Sequence, residues 1–480
     1  MSKTLKEKTV SGVFWSSLER FSGLGLEFLV ILVLARILTP KDFGLVGMLT
    51  IFVAISRSLI DSGFSQALIR KQNRVDEDNC TVFFFNVLVS LGVYVLLFFL
   101  APWVAAFYDE PQLCLLMRVL CLVIVIDSFS VVQRALFTSK IDFKTQTKSS
   151  LASSVISGAI SIFLAYCGYG YWSLVFYQIC AAFINNLILW YYSTWRPGLL
   201  FSRNAFRDMF SFGSKLMLSG LIDTVYNNLY QIVIGKFFSA SSLGYFSQAK
   251  NFSQMPATTI TTILQRVTYP TLCSFQDDID KLKYCYERLL RISAFVVFPL
   301  MCGIAGIASP LVNVLIGEKW AYASLLIIPL CFSMMWYPIH AINLNILKVR
   351  GRSDLFLKIE IIKKVVGVLI LFGSIPFGLT IMCWLRVVNA LISLAINTYY
   401  TGILIDWSFW AQLKSYSRIL VISILLFVVV LCATMLFDNQ YVNLFIGLLS
   451  GLAFFSFSIF VFRFKEFGEI VSLLRPFVKK

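Results

Sequence analysis

At 480 residues the chain could hold several soluble domains, but 58% of it is hydrophobic, 16% aromatic and only 14% charged, with a mean hydropathy of +0.80. Soluble domains use roughly 45–50% apolar residues, so a water-bathed fold is excluded and lipid must be the solvent. The formal net charge of +16 would suit nucleic acid on a soluble face, but the basic residues lie in short loops between apolar runs, which excludes nucleic acid and leaves membrane lipids, with their anionic headgroups, as the default partner.

Apolar runs of about 20 residues, each able to cross ~30 Å of hydrocarbon as a helix, recur along the whole chain. The expected fold is therefore an all-α integral membrane protein of about fourteen transmembrane helices. They fall near 13–34, 43–66, 80–105, 113–136, 151–167, 171–192, 210–234, 243–265, 290–312, 322–347, 357–376, 379–402, 417–437 and 441–463. The first follows Lys3, Lys6 and Lys8, but it carries Glu19, Arg20 and Glu27 and lacks a small-residue cleavage site, so a retained helix is expected rather than a signal peptide.

Between the segments, basic residues gather on alternate loops, as in Arg70, Lys71 and Arg74, then Lys140, Lys144 and Lys148, then Lys348, Arg350 and Arg352. The opposite side takes only Arg36, Lys41, Lys236 and Lys319. This asymmetry over short loops is the positive-inside pattern and predicts both termini on the cytoplasmic side. The outer connections Cys167–Tyr171, Ile375–Gly378 and Asp438–Gln440 are barely turns, and the largest inner loop, around Asp277, Asp278, Asp280, Lys281 and Lys283, is still small. The work of the protein is therefore expected inside the bundle.

Eleven cysteines are scattered without paired spacing and read as packing residues rather than disulfide or metal partners. A single histidine, His340, excludes a histidine-based catalytic or metal cluster; it reads as a packing or cavity residue, with a proton relay as the alternative. No cofactor is expected.

Residues 35–49 have an echo at 235–249, in which Arg36 matches Lys236 and Gly44 matches Gly244. An offset of 200 residues sets segments one and two against segments seven and eight, implying parallel duplicated halves with a substrate between them. The expected division is a first lobe at 1–200 holding segments one to six, a second at 201–405 holding seven to twelve, and 406–480 holding segments thirteen and fourteen with the tail.

A charge at the bilayer centre costs roughly 2.5–3.5 kcal/mol on insertion scales, so intramembrane charge faces a cavity or a partner. Here it concentrates in the duplicated hairpins. Segment one has Glu19, Arg20 and Glu27, and segment two has Arg57 and Asp61, four residues apart, a spacing that also fits a local salt bridge. Segment seven carries Lys215, Ser219, Asp223, Asn227 and Gln231 in four-residue steps, flanked by Tyr226, Asn228 and Tyr230. Segment eight repeats the pattern with Lys250, Asn251, Gln254 and Thr258 around Pro256. A water-filled cavity is the favoured reading of these stripes and interhelical hydrogen bonding the alternative. Apart from Arg418 and Arg463 at their ends, segments thirteen and fourteen carry no charge. For Arg118, Asp127 and Arg386 the default reading is snorkelling or local pairing.

Several runs then resemble a known family. Leu38-Thr39-Pro40-Lys41-Asp42-Phe43-Gly44, Asp61-Ser62-Gly63-Phe64, Arg134-Ala135-Leu136 with Asp142-Phe143-Lys144, and Leu315-Ile316-Gly317-Glu318-Lys319-Trp320 are similar to bacterial polysaccharide flippases of the multidrug/oligosaccharidyl-lipid/polysaccharide exporter superfamily. The likeness covers residues 1 to 465. It implies two six-helix lobes around a central cavity, two additional helices, and movement of undecaprenyl-pyrophosphate-linked oligosaccharides between leaflets for O-antigen, capsule or exopolysaccharide synthesis.

The residues agree with that implication. A diphosphate carries about two negative charges and is suited to Arg20, Arg57, Lys215 and Lys250 in a low-dielectric cavity. Tyr226, Asn227, Asn228, Tyr230, Gln231, Asn251 and Gln254 are candidates for sugar hydroxyls. Glu19, Glu27, Asp61 and Asp223 are candidate proton or sodium sites, and segments thirteen and fourteen could hold an isoprenoid tail. Polysaccharide assembly proteins are possible partners. A drug or small-molecule antiporter of the same superfamily is the alternative; a membrane enzyme of polysaccharide assembly would need an extramembrane site that the short outer loops do not build.

Overall fold

A computed structural model describes residues 22–61, 64–71 and 74–469, with the side chains of residues 61, 208, 212, 215, 216 and 267 set aside. Among the described residues there is no strand, as lipid requires: a spanning backbone must satisfy its own amides, and a helix does so within one segment. Chain packing separates two compact units, Met1–Gly244 and Tyr245–Lys480.

The first unit begins with α1 (22–37) and continues through α2 (Pro40–Asp61), α3 (Phe64–Arg70), α4 (Asp76–Tyr108), α5 (Gln112–Leu120), α6 (Leu122–Ser128), α7 (Val131–Ser139), α8 (Phe143–Tyr166), α9 (Tyr171–Tyr192) and α10 (Arg203–Phe237) to the first residues of α11 (Ala240–Cys273). The second holds the rest of α11, then α12 (Ile279–Gly306), α13 (Ala308–Leu315), α14 (Ala321–Met334), α15 (Tyr337–Val349), α16 (Ser353–Ser374), α17 (Leu379–Ile405), α18 (Phe409–Ala433) and α19 (Gln440–Phe462).

Each of the fourteen expected segments is mostly helical where described, with turns inside the fourth at Cys121 and Phe129–Ser130, the ninth at Ile307 and the tenth at Met335–Trp336. Nine helices among the described residues are long and apolar enough to cross a membrane, or ten when the bent pair Gln112–Ser128 and Val131–Ser139 counts as one span; the chain is a multi-pass membrane protein. At 35 and 34 residues α10 and α11 are longer still, but the polar residues along them dilute their hydropathy, as they do in α16. Helix limits differ from expectation where caps rule. The fifth segment starts at Phe143 rather than near 151, because the Asp142 carboxylate accepts the Thr145 amide at 3.1 Å and fixes the first turn upstream of the apolar run.

The fourth segment, expected as one span at 113–136, is broken into α5, α6 and α7, with a 40° bend between the α5–α6 arm and α7. Carbonyls near the bend find partners on α9: Asn186 Nδ2 donates to the Ile126 carbonyl at 2.8 Å and Trp190 Nε1 to that of Phe129 at 2.9 Å. Without such donors a break at membrane depth would leave unsatisfied carbonyls.

Small residues set the close helix contacts, as expected where packing rather than water drives association. In the first unit α8 buries Thr147, Ser149, Ser153, Ser157, Gly158 and Ser161. Ser149 Oγ donates to Asn185 and Ser161 Oγ to the Ser173 carbonyl, both on α9. In the second unit Gly306 of α12 lies against Val430 and Phe427 of α18, and Gly447 of α19 against Thr434 and Ile307.

The 200-residue echo has a structural counterpart. At the start of α2, Thr39 and Asp42 cap each other through the Thr39 amide and hydroxyl and the Asp42 amide. At the start of α11 the Ser242 amide and hydroxyl pair with Ser239 Oγ. The two helix starts meet reciprocally: Gly44 lies on the Ala240 backbone and Gly244 on that of Pro40. A Cβ on Gly44 would stand 1.6 Å from the Ala240 carbonyl oxygen, and one on Gly244 1.9 Å from that of Pro40, so only glycine permits this approach.

Candidate functional site

In the first unit, intramembrane charge collects around Arg57, close to the middle of the 31-residue span Pro40–Arg70. Its Nε donates to Asp127 Oδ2 at 2.9 Å. Asp127, at the end of α6 beside the break, also receives Arg134 Nη2 at 3.4 Å, and Arg134 donates to Ser130 Oγ at 2.8 Å. Arg57 therefore pairs with a residue seventy positions away in sequence. Glu27 of α1 lies within electrostatic reach of Arg57, and Tyr177 of α9 within reach of Glu27. α10 packs along α2 in the same unit. On α10, Asp223 and Asn227 are exposed, Tyr226 and Tyr230 half-buried and Gln231 buried. Asn228 donates back to the Thr224 carbonyl of its own helix at 2.8 Å. The Gln231 Oε1 atom is buried with no hydrogen-bond partner among the described residues, which leaves an acceptor for a ligand or water.

In the second unit Lys250, Asn251 and Gln254 are half-buried on α11, and the charge of Arg386 on α17 acts on Lys250. Further along, Gln265 accepts a 2.6 Å bond from Asn345 of α15. His340 pairs its Nδ1 with Asn397 at 3.2 Å, and Lys363, bound to Glu360 one turn away, acts on it. A groove of about 390 Å³ opens between α12, α18 and α19, lined by Phe295, Pro299, Gly303, Leu426, Gly447 and Leu452 among other apolar residues. An apolar groove of this kind is suited to a hydrocarbon chain.

Glu19 and Arg20 lie outside the described residues, as do the side chains of Asp61 and Lys215. Arg57 and Glu27 are brought together; Lys250, Asn251 and Gln254 belong to the other unit. Arg118 is held locally, its guanidinium 4.3 Å from the centre of the Phe98 ring. Sequence reasoning did not assign Asp127, Arg134 or Arg386 to a site. The available signal was ionisable residues inside apolar runs, which marks a candidate without naming its partner.

Residues 33–325 match a family described as polysaccharide biosynthesis protein. The chain belongs to that polysaccharide biosynthesis family. Among its relatives, the teichuronic acid biosynthesis protein TuaB of Bacillus subtilis is 24% identical over 423 residues, 86% of each chain. The lipopolysaccharide biosynthesis protein WzxC of Escherichia coli is 25% identical, over 75% of this chain and 74% of WzxC. The fold is that of the lipid II flippase MurJ in an inward closed conformation, with a TM-score of 0.73 and 14% identity over 93% of this chain and 98% of MurJ. This polysaccharide biosynthesis protein is thus helical without strands among the described residues and shares the fold of MurJ.

Proposed function

We propose that this protein moves undecaprenyl-pyrophosphate-linked oligosaccharide units across the bacterial inner membrane by alternating access of two six-helix lobes, residues 1–200 and 201–405, with helices of 406–480 beside them. The observation that carries the reading is the coexistence of intramembrane cations, Arg57 in one unit and Lys250 with Arg386 in the other, with an uncharged groove of about 390 Å³ along α12, α18 and α19. An amphiphile with a doubly charged linkage and a long hydrocarbon tail needs both. Arg and Lys hold phosphate oxygens by charge-assisted hydrogen bonds, and the groove shields the isoprenoid chain. Asn227 and Gln231 on α10 and Asn251 and Gln254 on α11 serve sugar hydroxyls. The relatives' names, teichuronic acid and lipopolysaccharide biosynthesis, support a surface glycan as cargo. The excess of basic residues on alternate loops supports cytoplasmic termini. A drug antiporter taking organic cations is disfavoured by the cations already in the spans, and no enzymatic step is needed.

A deletion strain tests the reading. With this protein removed, the lipid-linked intermediate is expected to accumulate in the inner leaflet, and the native chain, but not one with Arg20, Lys215 and Lys250 replaced by Ala, restores its exposure in the outer leaflet of spheroplasts. Unchanged exposure in a strain lacking this protein and any redundant transporter refutes it.

A further inference from the structure

Asp127 stands where the fourth span breaks, its carboxylate shared by two arginines from different elements. The two arginines are not held alike. Arg134 is anchored beyond Asp127 by Ser130 Oγ at 2.8 Å, within its own turn, while Arg57 reaches Asp127 through Nε alone at 2.9 Å. The Arg57 side chain is 45% exposed and that of Asp127 only 13%, so the guanidinium can turn to a ligand while the carboxylate stays behind. Arg134 then compensates the charge of Asp127, so releasing Arg57 strands no buried carboxylate. The bend beside the triad, with its Ile126 and Phe129 carbonyls capped from α9, is the broken-helix setting in which charged ligands are bound at membrane depth.

The competition this creates depends on charge number. An incoming group must offer Arg57 more than the single negative charge it already has. A phosphodiester headgroup, singly charged, replaces like with like; a diphosphate, with about two charges at similar distance, interacts about twice as strongly. We propose that Asp127 is a positioning residue that sets headgroup selectivity: as the resident counter-anion of Arg57, it yields that guanidinium to a diphosphate and withholds it from the singly charged lipids that surround the protein. Selectivity here comes from a built-in competitor rather than from an added contact. The proposal rests on Arg57 being one of the substrate-facing cations of the transport reading.

The test uses the full chain in phosphatidylcholine nanodiscs, with undecaprenyl diphosphate and phosphatidylglycerol offered together and bound lipid read by native mass spectrometry. Wild type is expected to prefer the diphosphate. Asp127→Asn is expected to bind phosphatidylglycerol more tightly and to lose about tenfold of that preference, while Asp127→Glu keeps it. In an Arg57→Gln background Asp127→Asn is expected to change nothing further. A preference unchanged in Asp127→Asn, or lost equally without Arg57, overturns the proposal and leaves the transport reading standing. A wild type that prefers neither lipid overturns both. Should Asp127→Asn fail to fold, Arg134→Gln decides: with Asp127 left to Arg57 alone, both lipids are expected to bind more weakly with the preference kept, and tighter binding of either overturns the proposal.

Discussion

Tyr286 shows how single polar groups fix the second unit. Its hydroxyl lies 2.6 Å from Asn343 Oδ1 and 3.0 Å from Gln412 Oε1. Both amides are already oriented by their own donors, Asn343 to the Ile339 carbonyl and Gln412 to those of Thr398 and Trp407. One hydroxyl proton thus serves two buried acceptors on α15 and α18 and ties both helices to α12. Tyr286→Phe keeps the ring and removes the donor; a loss of about 1–3 kcal/mol is expected, read as a lower thermal midpoint in detergent with lipid binding retained. An unchanged midpoint would mean the hydroxyl is dispensable. At this scale the sequence marked which residues are unusual and left their partners open. Arg57 and Asp61 have the spacing of a helical ion pair; the Asp61 side chain lies outside the described residues, and the partner the structure shows for Arg57 is Asp127. Arg386 read as a snorkelling or locally paired residue, and its charge bears on Lys250. A side chain three or four positions away can be read from helical period; one seventy positions away depends on how helices pack.

Among elements, the reciprocal contact of the α2 and α11 starts is the feature most exposed to test. Gly44 and Gly244 allow backbone on backbone, and any side chain at either position drives carbon into a carbonyl oxygen. Gly44→Val is therefore expected to part the two helix starts. Transport should fall at least tenfold, because such an overlap costs well over ~1.4 kcal/mol, while Gly92→Ala, which meets nothing within 4 Å on α4, leaves it intact. Transport assayed in both variants checks this, and undiminished transport in Gly44→Val would refute the expectation. The glycine match at an offset of 200 was legible in sequence; that the two matched helix starts touch was not. The broken fourth span is the opposite case. Asp127, Ser128 and Ser130 interrupt its apolar run at the break, which marks the place without giving a bend, and the bend is made possible by Asn186 and Trp190, which belong to a helix two segments on.

For the molecule as a whole, topology is the property that composition reaches most directly. If the basic loops are cytoplasmic, Cys167, exposed in the turn between α8 and α9, faces outward. A membrane-impermeant maleimide is then expected to label it in intact cells, and labelling only after permeabilisation would invert the proposed orientation. The sequence alone determined that lipid is the solvent, that the chain is helical throughout its apolar runs, and which segments carry polar stripes. These follow from the length of each run and its hydropathy, which are local quantities set by the thickness of hydrocarbon and the need to satisfy backbone amides. Only the tertiary structure decided where the fourth span breaks, which carboxylate holds Arg57, and that α12, α18 and α19 leave an apolar groove between them. Those depend on contacts between residues far apart in sequence, where side-chain shape and hydrogen-bonding partners, rather than period or composition, select one packing.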